Sequence, residues 1–202
     1  MKLSHLLYKV DNLNDSVRFF RDKGFNVEYG SKNKPKNALI YFSKGPYIEL
    51  IQNAPISLLV RFILKIIGKG FLLDRFNSWD NAKAGFFGIC LENDENDFFT
   101  EIKILKKYDE TFFETKSQRL DPSDRHLKWK LLFPSNINIP FFMTYFNTDP
   151  KPKRFTHPNG IKKIKTVNLG IQDDLIPIMN ELCEDSILNL TNGNQIFVEY
   201  QT

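Results

Sequence analysis

The chain has 202 residues, of which 42% are hydrophobic and 26% charged, a balance that suits a globular protein with one substantial core or two small ones. Its net charge of +4 is mild and well mixed, which gives no footing to a nucleic-acid partner. The one long apolar stretch, PISLLVRFILKIIGKGF, is interrupted by Arg61 and Lys65 and falls short of the roughly 20 uninterrupted residues of a transmembrane segment. Two cysteines, Cys90 and Cys183, lie far apart in apolar segments without metal-ligand spacing. They read as reduced, buried thiols of a cytoplasmic protein. A strand pattern begins at once, which leaves no room for a signal peptide.

KLSHLLYKV reads as a short strand carrying a histidine, His5, among apolar residues. DNLNDSVRFFRDKG follows as a helix, with Asn12 or Asn14 as cap, Val17, Phe19 and Phe20 on its apolar face and Gly24 as its end. FNVEYG is a short strand, and NALIYFSKGPYIELIQ is two strands joined at Ser43-Lys44-Gly45-Pro46. Residues 1–54 thus form a βαβββ unit. The spacing predicts a strongly apolar helix over 55–67, then a polar, loop-like stretch, NSWDNAKA, in a linking region 55–84.

The pattern then restarts. AGFFGICLEN is a strand, and ENDFFTEIKILKKY is an amphipathic helix with Phe98, Ile102 and Leu105 on one stripe. TFFETKSQRL, HLKWKLLF and IPFFMTYF are three further strands, which makes 85–147 a second βαβββ unit. A Pro-rich, basic connector occupies 148–162. Residues 163–202 form a third, incomplete βαββ unit: IKKIKTVNLGI as strand, DDLIPIMNELCED as helix, SILNLTNG and NQIFVEYQ as a hairpin. One such unit cannot bury its sheet alone, whereas two can wrap into a curved, open barrel with helices outside and a concave pocket. The fold class is therefore α+β, paired βαβββ units plus the third unit. The exposed edge of that third unit predicts pairing with the main sheet or with another subunit.

In order and spacing, LSHLLYKVDNLNDSVRFF, Gly24-Phe25, NALIYFSKGPYIELI, GFFGICLEND, RLDPSDRHLKWKLLFP, IPFFMTYF and HPNGI resemble the glyoxalase-like domain family of the vicinal oxygen chelate (VOC) superfamily. The resemblance implies metal ligands on the first and last strands of each unit. His5 and Glu49 match those positions in type, and imidazole and carboxylate suit a divalent ion such as Zn, Mn, Fe or Ni. The second unit departs from the pattern: Gly88 falls opposite His5, and Met143 or Thr144 opposite Glu49. In the third unit the equivalents are Thr166 and Glu199, of which only Glu199 matches.

A firm metal site needs a third ligand, and Glu199 and His157 are the candidates. Without one, His5 and Glu49 read as a polar tie between strands. Glu49 and His157 are also the candidate catalytic groups, although HPNG is equally good turn chemistry. Arg119 suits a carboxylate or phosphate clamp and Trp129 a pocket wall, so both are candidate ligand-binding residues. The helix 55–67, apolar on most sides, must be covered by the barrel, a second subunit in a homodimer, or a membrane surface near Arg61, Lys65 and Lys69.

Two functions of different class follow. One is a glyoxalase- or dioxygenase-like enzyme acting on a small polar metabolite, with a divalent ion as Lewis acid. The other is a metal-free protein of the same fold that binds a small molecule for sequestration, sensing or resistance. An interaction protein that uses the apolar helix is the third reading.

Overall fold

The structure, a computed structural model, describes residues 1–152 and 155–202. The chain runs through β1 (Lys2–Lys9), α1 (Leu13–Asp22), β2 (Glu28–Tyr29), β3 (Asn37–Ile40) and β4 (Tyr47–Ile51). Two helices follow, α2 (Leu58–Ile66) and α3 (Gly70–Asp80). The second unit comprises β5 (Gly85–Asn93), α4 (Phe99–Lys107), β6 (Phe112–Leu120), β7 (His126–Pro134) and β8 (Phe141–Thr144). The third comprises β9 (Lys163–Ile171), a 3-10 turn at Asp173–Leu175, α5 (Ile176–Leu182), β10 (Leu188–Asn192) and β11 (Ile196–Gln201).

The two βαβββ units build one curled eight-stranded sheet in the order β2-β3-β4-β1-β5-β8-β7-β6. Each half repeats one plan, with its first strand parallel to its last and the remaining pairs antiparallel. The halves meet in the antiparallel β1–β5 pair. α1 forms where Asn12 caps it: the Asn12 side chain accepts the Asp15 N–H at 3.0 Å. Leu13 and Val17 are buried and Phe20 packs beside them, whereas Phe19, expected on the apolar face, is 54% exposed.

The sheet has a core on each face. On the convex face, Leu6, Leu50, Leu91 and Phe142 pack against Leu13 and Val17 of α1, Leu105 of α4 and Val167, Leu169 and Met179 of the third unit. On the concave face, Leu7, Ile51, Cys90, Phe133, Phe141 and Met143 pack against Leu64, Leu72, Phe76 and Trp79. The stretch NSWDNAKA, read as loop-like, is helix in its first half, where residues 77–80 close α3. α3 buries Leu72, Phe76 and Trp79 at spacings of four and three, and Asn77, Ser78 and its two aspartates masked that stripe. Arg75, on the same helix, is 2% exposed and donates to the carbonyls of Ile139, Pro134 and Asn136 at 3.0, 2.9 and 2.9 Å. It thereby ties α3 to the turn between β7 and β8.

The third unit differs from expectation in two respects. β10 and β11 are not a hairpin: they flank β9, β10 parallel and β11 antiparallel to it. The link between them crosses over Gly170, where a Cβ would lie 2.7 Å from the backbone nitrogens of Asn194 and Gln195. Only glycine permits that crossing. Nor does the small sheet extend the large one. It stacks on the convex face, held to β1 where the Leu3 N–H donates to Asp185 Oδ2 at 2.9 Å and the Glu184 N–H to the Met1 carbonyl at 3.2 Å.

The HPNG turn fastens the connector to the end of α1. The Asn159 N–H donates to the Gly24 carbonyl at 3.1 Å and its side chain to the Lys23 carbonyl at 2.9 Å. His157 is buried among Phe25, Phe42 and Phe155, and its Nδ1 accepts the Asn26 N–H at 2.9 Å. Burial pushes this imidazole below its ordinary range, and a backbone contact at Tyr41 offsets that in part.

Arg75→Ala leaves three inward carbonyls without their charged donor and should lower stability in urea unfolding by about 3 kcal/mol, against an expectation of near zero for a surface arginine. His157 generates a pH dependence of definite sign. Its folded pKa is depressed from 6.5, so its full contribution to stability is present above that value and is lost as the pH falls through the window below it. The urea midpoint should drop more between about pH 7 and about pH 5 in the parent protein than in His157→Asn; parallel profiles would refute the assignment.

Candidate functional site

A β-bulge sets up the concave pocket. Strict alternation from Leu3 would place residues 3, 5 and 7 on one face. The β1–β5 register instead shifts between Leu3 and His5. Leu3 and Leu6 consequently enter the convex core, while His5 and Leu7 face the concave side. The extra residue, Ser4, is fully buried; its hydroxyl donates to Glu92 Oε2 at 2.8 Å and lies 3.1 Å from His5 Nδ1. A Ser4 hydroxyl whose proton is directed to Glu92 accepts from His5 Nδ1–H, which orients the ring.

From there the site extends to β4, parallel to β1. Tyr47 stacks on the His5 ring, with centroids 4.6 Å apart and an interplanar angle of 21°. Two residues on, Glu49 Oε2 comes within 3.2 Å of His5 Nε2. The approach is not aligned as a hydrogen bond, so His5 Nε2 remains a buried polar atom without a satisfied partner. The other carboxylate oxygen, Oε1, accepts from the Asn37 amide at 2.5 Å. Burial pushes the Glu49 carboxyl up, but the contacts with His5 and Asn37 and the charge of Arg119 outweigh it and hold the group below the usual carboxylate range. Burial also raises the Tyr47 phenol and the Cys90 thiol well above their ordinary values, so both stay protonated.

Around this polar floor lies a cavity of about 600 Å³. Its walls are mostly apolar and aromatic, including Phe76, Trp79, Phe113, Trp129 and Phe133, and α2 and α3 roof it. Arg119 projects from β6, the far edge strand, and donates to the Gly30 carbonyl just beyond β2, the opposite edge strand. Lys32 and Asp124 form an ion pair at 3.2 Å between the same two edges. Arg119 thus latches the curl closed and places a cation beside Phe146, 6.0 Å from its ring centroid.

The structure brings four of the sequence-derived candidates, His5, Glu49, Arg119 and Trp129, into one cavity. It does not bring Glu199 or His157 to them. Glu199 lies on β11 in the other sheet, opposite Thr166, exposed and 3.4 Å from Lys165. His157 holds the connector, away from the residues that line the cavity. In the second half, His5 pairs with Cys90 and Leu7 with Gly88, so exchanging the halves relates His5 to Gly88 and Leu7 to Cys90. Leu7 stands opposite Glu49, and Cys90 opposite Phe141. Phe141, rather than Met143 or Thr144, therefore occupies the place of Glu49. Sequence reasoning passed over Tyr47 and Asn37; the alternation of Tyr47, Glu49 and Ile51 along one strand was the available signal for the first. Ser4, as a bulge, left none.

The donor set does not fit a divalent ion of three or more protein ligands. Among the described residues no third His, Cys, Asp or Glu joins His5 and Glu49 in a metal-holding group, and the neighbouring side chains are Tyr47, Phe141 and Met143.

Comparison with known proteins agrees with this architecture. A solved structure titled "Crystal Structure of a hypothetical protein from Staphylococcus aureus" is similar at 20% identity, with a TM-score of 0.63 over 96% of this chain and 87% of that one, and shows the fold alone. No curated protein matches the chain. Among the described residues no helix is long and apolar enough to cross a membrane. The family model described as a glyoxalase-like domain matches residues 3–176, most of both βαβββ halves and the start of the third unit, and the chain belongs to that family.

Proposed function

We propose that this protein binds a small molecule in the concave cavity without a metal, for sequestration, sensing or resistance. The observation that supports it most directly is the cavity's polarity: one polar floor, His5, Glu49 and Asn37, in an otherwise mainly apolar, aromatic enclosure of about 600 Å³. His5 Nε2, buried and unsatisfied, awaits a hydrogen-bonding group, and the Glu49 carboxylate accepts from a hydroxyl or amine. Lys34, Lys36 and Arg119 also line the cavity, with the Arg119 guanidinium near enough to Glu49 to lower its carboxyl, and suit an anionic group. The ligand class is thus a compact amphiphile with an apolar, partly aromatic body and one polar head that carries a donor group beside a carboxylate or phosphate. The metal-dependent lyase, isomerase or dioxygenase chemistry implied by the family resemblance needs a third donor beside His5 and Glu49.

Both tryptophans of the chain, Trp79 and Trp129, line this cavity, so intrinsic fluorescence reports its occupancy. Titration with hydroxynaphthoate, an aromatic carrying both a hydroxyl and a carboxylate, should quench the emission saturably. Glu49→Gln and Arg119→Met should each weaken that binding by about tenfold, the loss of one charged contact. Quenching that is absent, or indifferent to both substitutions, would remove the reading. Elemental analysis after incubation with Zn, Mn, Fe or Ni salts tests the metal separately: near-stoichiometric ion that is lost in both His5→Ala and Glu49→Ala would restore the metal-dependent alternative.

His5→Ala also has a stability consequence. It strips Ser4 and Glu49 of a buried partner and should cost about 1–3 kcal/mol in urea unfolding. An unchanged midpoint would mean that the His5 contacts with Ser4 and Glu49 contribute nothing to stability.

A further inference from the structure

α2 turns its apolar side away from the protein. Leu64 is buried beneath it, and Arg61 faces back to the body, where it bonds Asp80 and Asn77. The opposite face carries Leu58, Leu59, Phe62, Ile63 and Ile66, from 45% to 84% exposed. Among the described residues, seven of the thirteen exposed large apolar side chains lie between 58 and 67. A core helix shows the reverse pattern, and a contiguous patch of this kind marks a surface that is normally covered.

The charge around the patch narrows what covers it. Residues 50–73 contain Arg61, Lys65 and Lys69 but no Asp or Glu, and residues 30–37 contain Lys32, Lys34 and Lys36 but no acid. The two segments meet in space, since the Lys36 ammonium reaches the Pro55 carbonyl at 3.5 Å and both line the cavity. Lys34, Lys36 and Lys65 are exposed and have no ion-pair partner among the described residues. We infer that α2 and the 31–36 loop form a docking surface for an anionic lipid bilayer. The helix lies in the headgroup layer with Leu58, Phe62 and Ile66 inserted, and the flanking lysines bind the lipid charge. A second copy of the chain is the poorer occupant, because a two-fold contact through α2 would set Lys65 and the loop lysines against their own kind.

This inference needs no ligand in the cavity, although Lys34 and Lys36 belong to both surfaces. Its test is co-sedimentation at low salt with phosphatidylcholine vesicles, with and without about 30% phosphatidylserine. The protein should sediment with the phosphatidylserine vesicles only, and added salt should release it. Phe62→Asp combined with Ile66→Asp should lower the bound fraction by about tenfold or more, because two inserted apolar contacts are replaced by charges that the lipid repels. The urea midpoint should not move, since both side chains are exposed. No sedimentation of the parent protein, or equal sedimentation of the double variant, would overturn the proposal. A dimer in light scattering that the double variant makes monomeric, without vesicle binding by the parent, would overturn it in favour of a second copy.

Discussion

Everything in this fold hangs on the antiparallel pairing of β1 with β5. Among the described residues it is the one ladder that joins the two four-stranded halves. It also sets which side chains face the concavity. A slip of one residue would carry His5 to the convex core and leave Glu49 facing apolar neighbours. The bulge at Ser4 guards against that slip as well as aiming His5, because its buried hydroxyl has a specific partner, Glu92, on the strand across the seam.

Closure at the other end is of a different kind. β2 and β6 do not pair; Arg119, together with the exposed Lys32–Asp124 ion pair, spans the gap between them. An exposed ion pair contributes little, whereas an arginine directed inward to a backbone carbonyl holds more firmly. The sheet is thus stitched by a full ladder at its seam and by a few side chains at its mouth. α3, joined by Leu64 of α2, roofs the opening with apolar contacts, and Arg75 anchors that roof to the β7–β8 turn.

Most of this architecture was legible in the sequence. The recurrence of βαβββ and the cap of α1 at Asn12 are local features, written in alternation and in a capping residue. His5 and Glu49 were visible as unlike residues inside apolar strands, and Gly88 as the missing counterpart of His5. What escaped was non-local. Glu199 shares its residue type with Glu49, yet β11 joins β9 from the side opposite β10 because the link crosses Gly170, and no spacing rule reports that crossing. α3 escaped because it opens at Gly70 without a side-chain cap and closes in Asn, Ser and Asp. Arg119 was singled out as an anion clamp, but the Gly30 carbonyl it latches lies 89 residues earlier in the chain.

The two halves share a backbone plan but not a chemistry. Where one offers imidazole and carboxylate, the other offers the bare backbone of Gly88 and the ring of Phe141. A pocket built from two equal halves would accept a guest either way round. This one carries its imidazole and carboxylate in one half only, so the ligand proposed above, with its unlike ends, would enter in one orientation. The near-repetition of the fold supplies the enclosure, and the break in that repetition would give the proposed binding its regioselectivity, with head told from tail by the floor that the second half lacks.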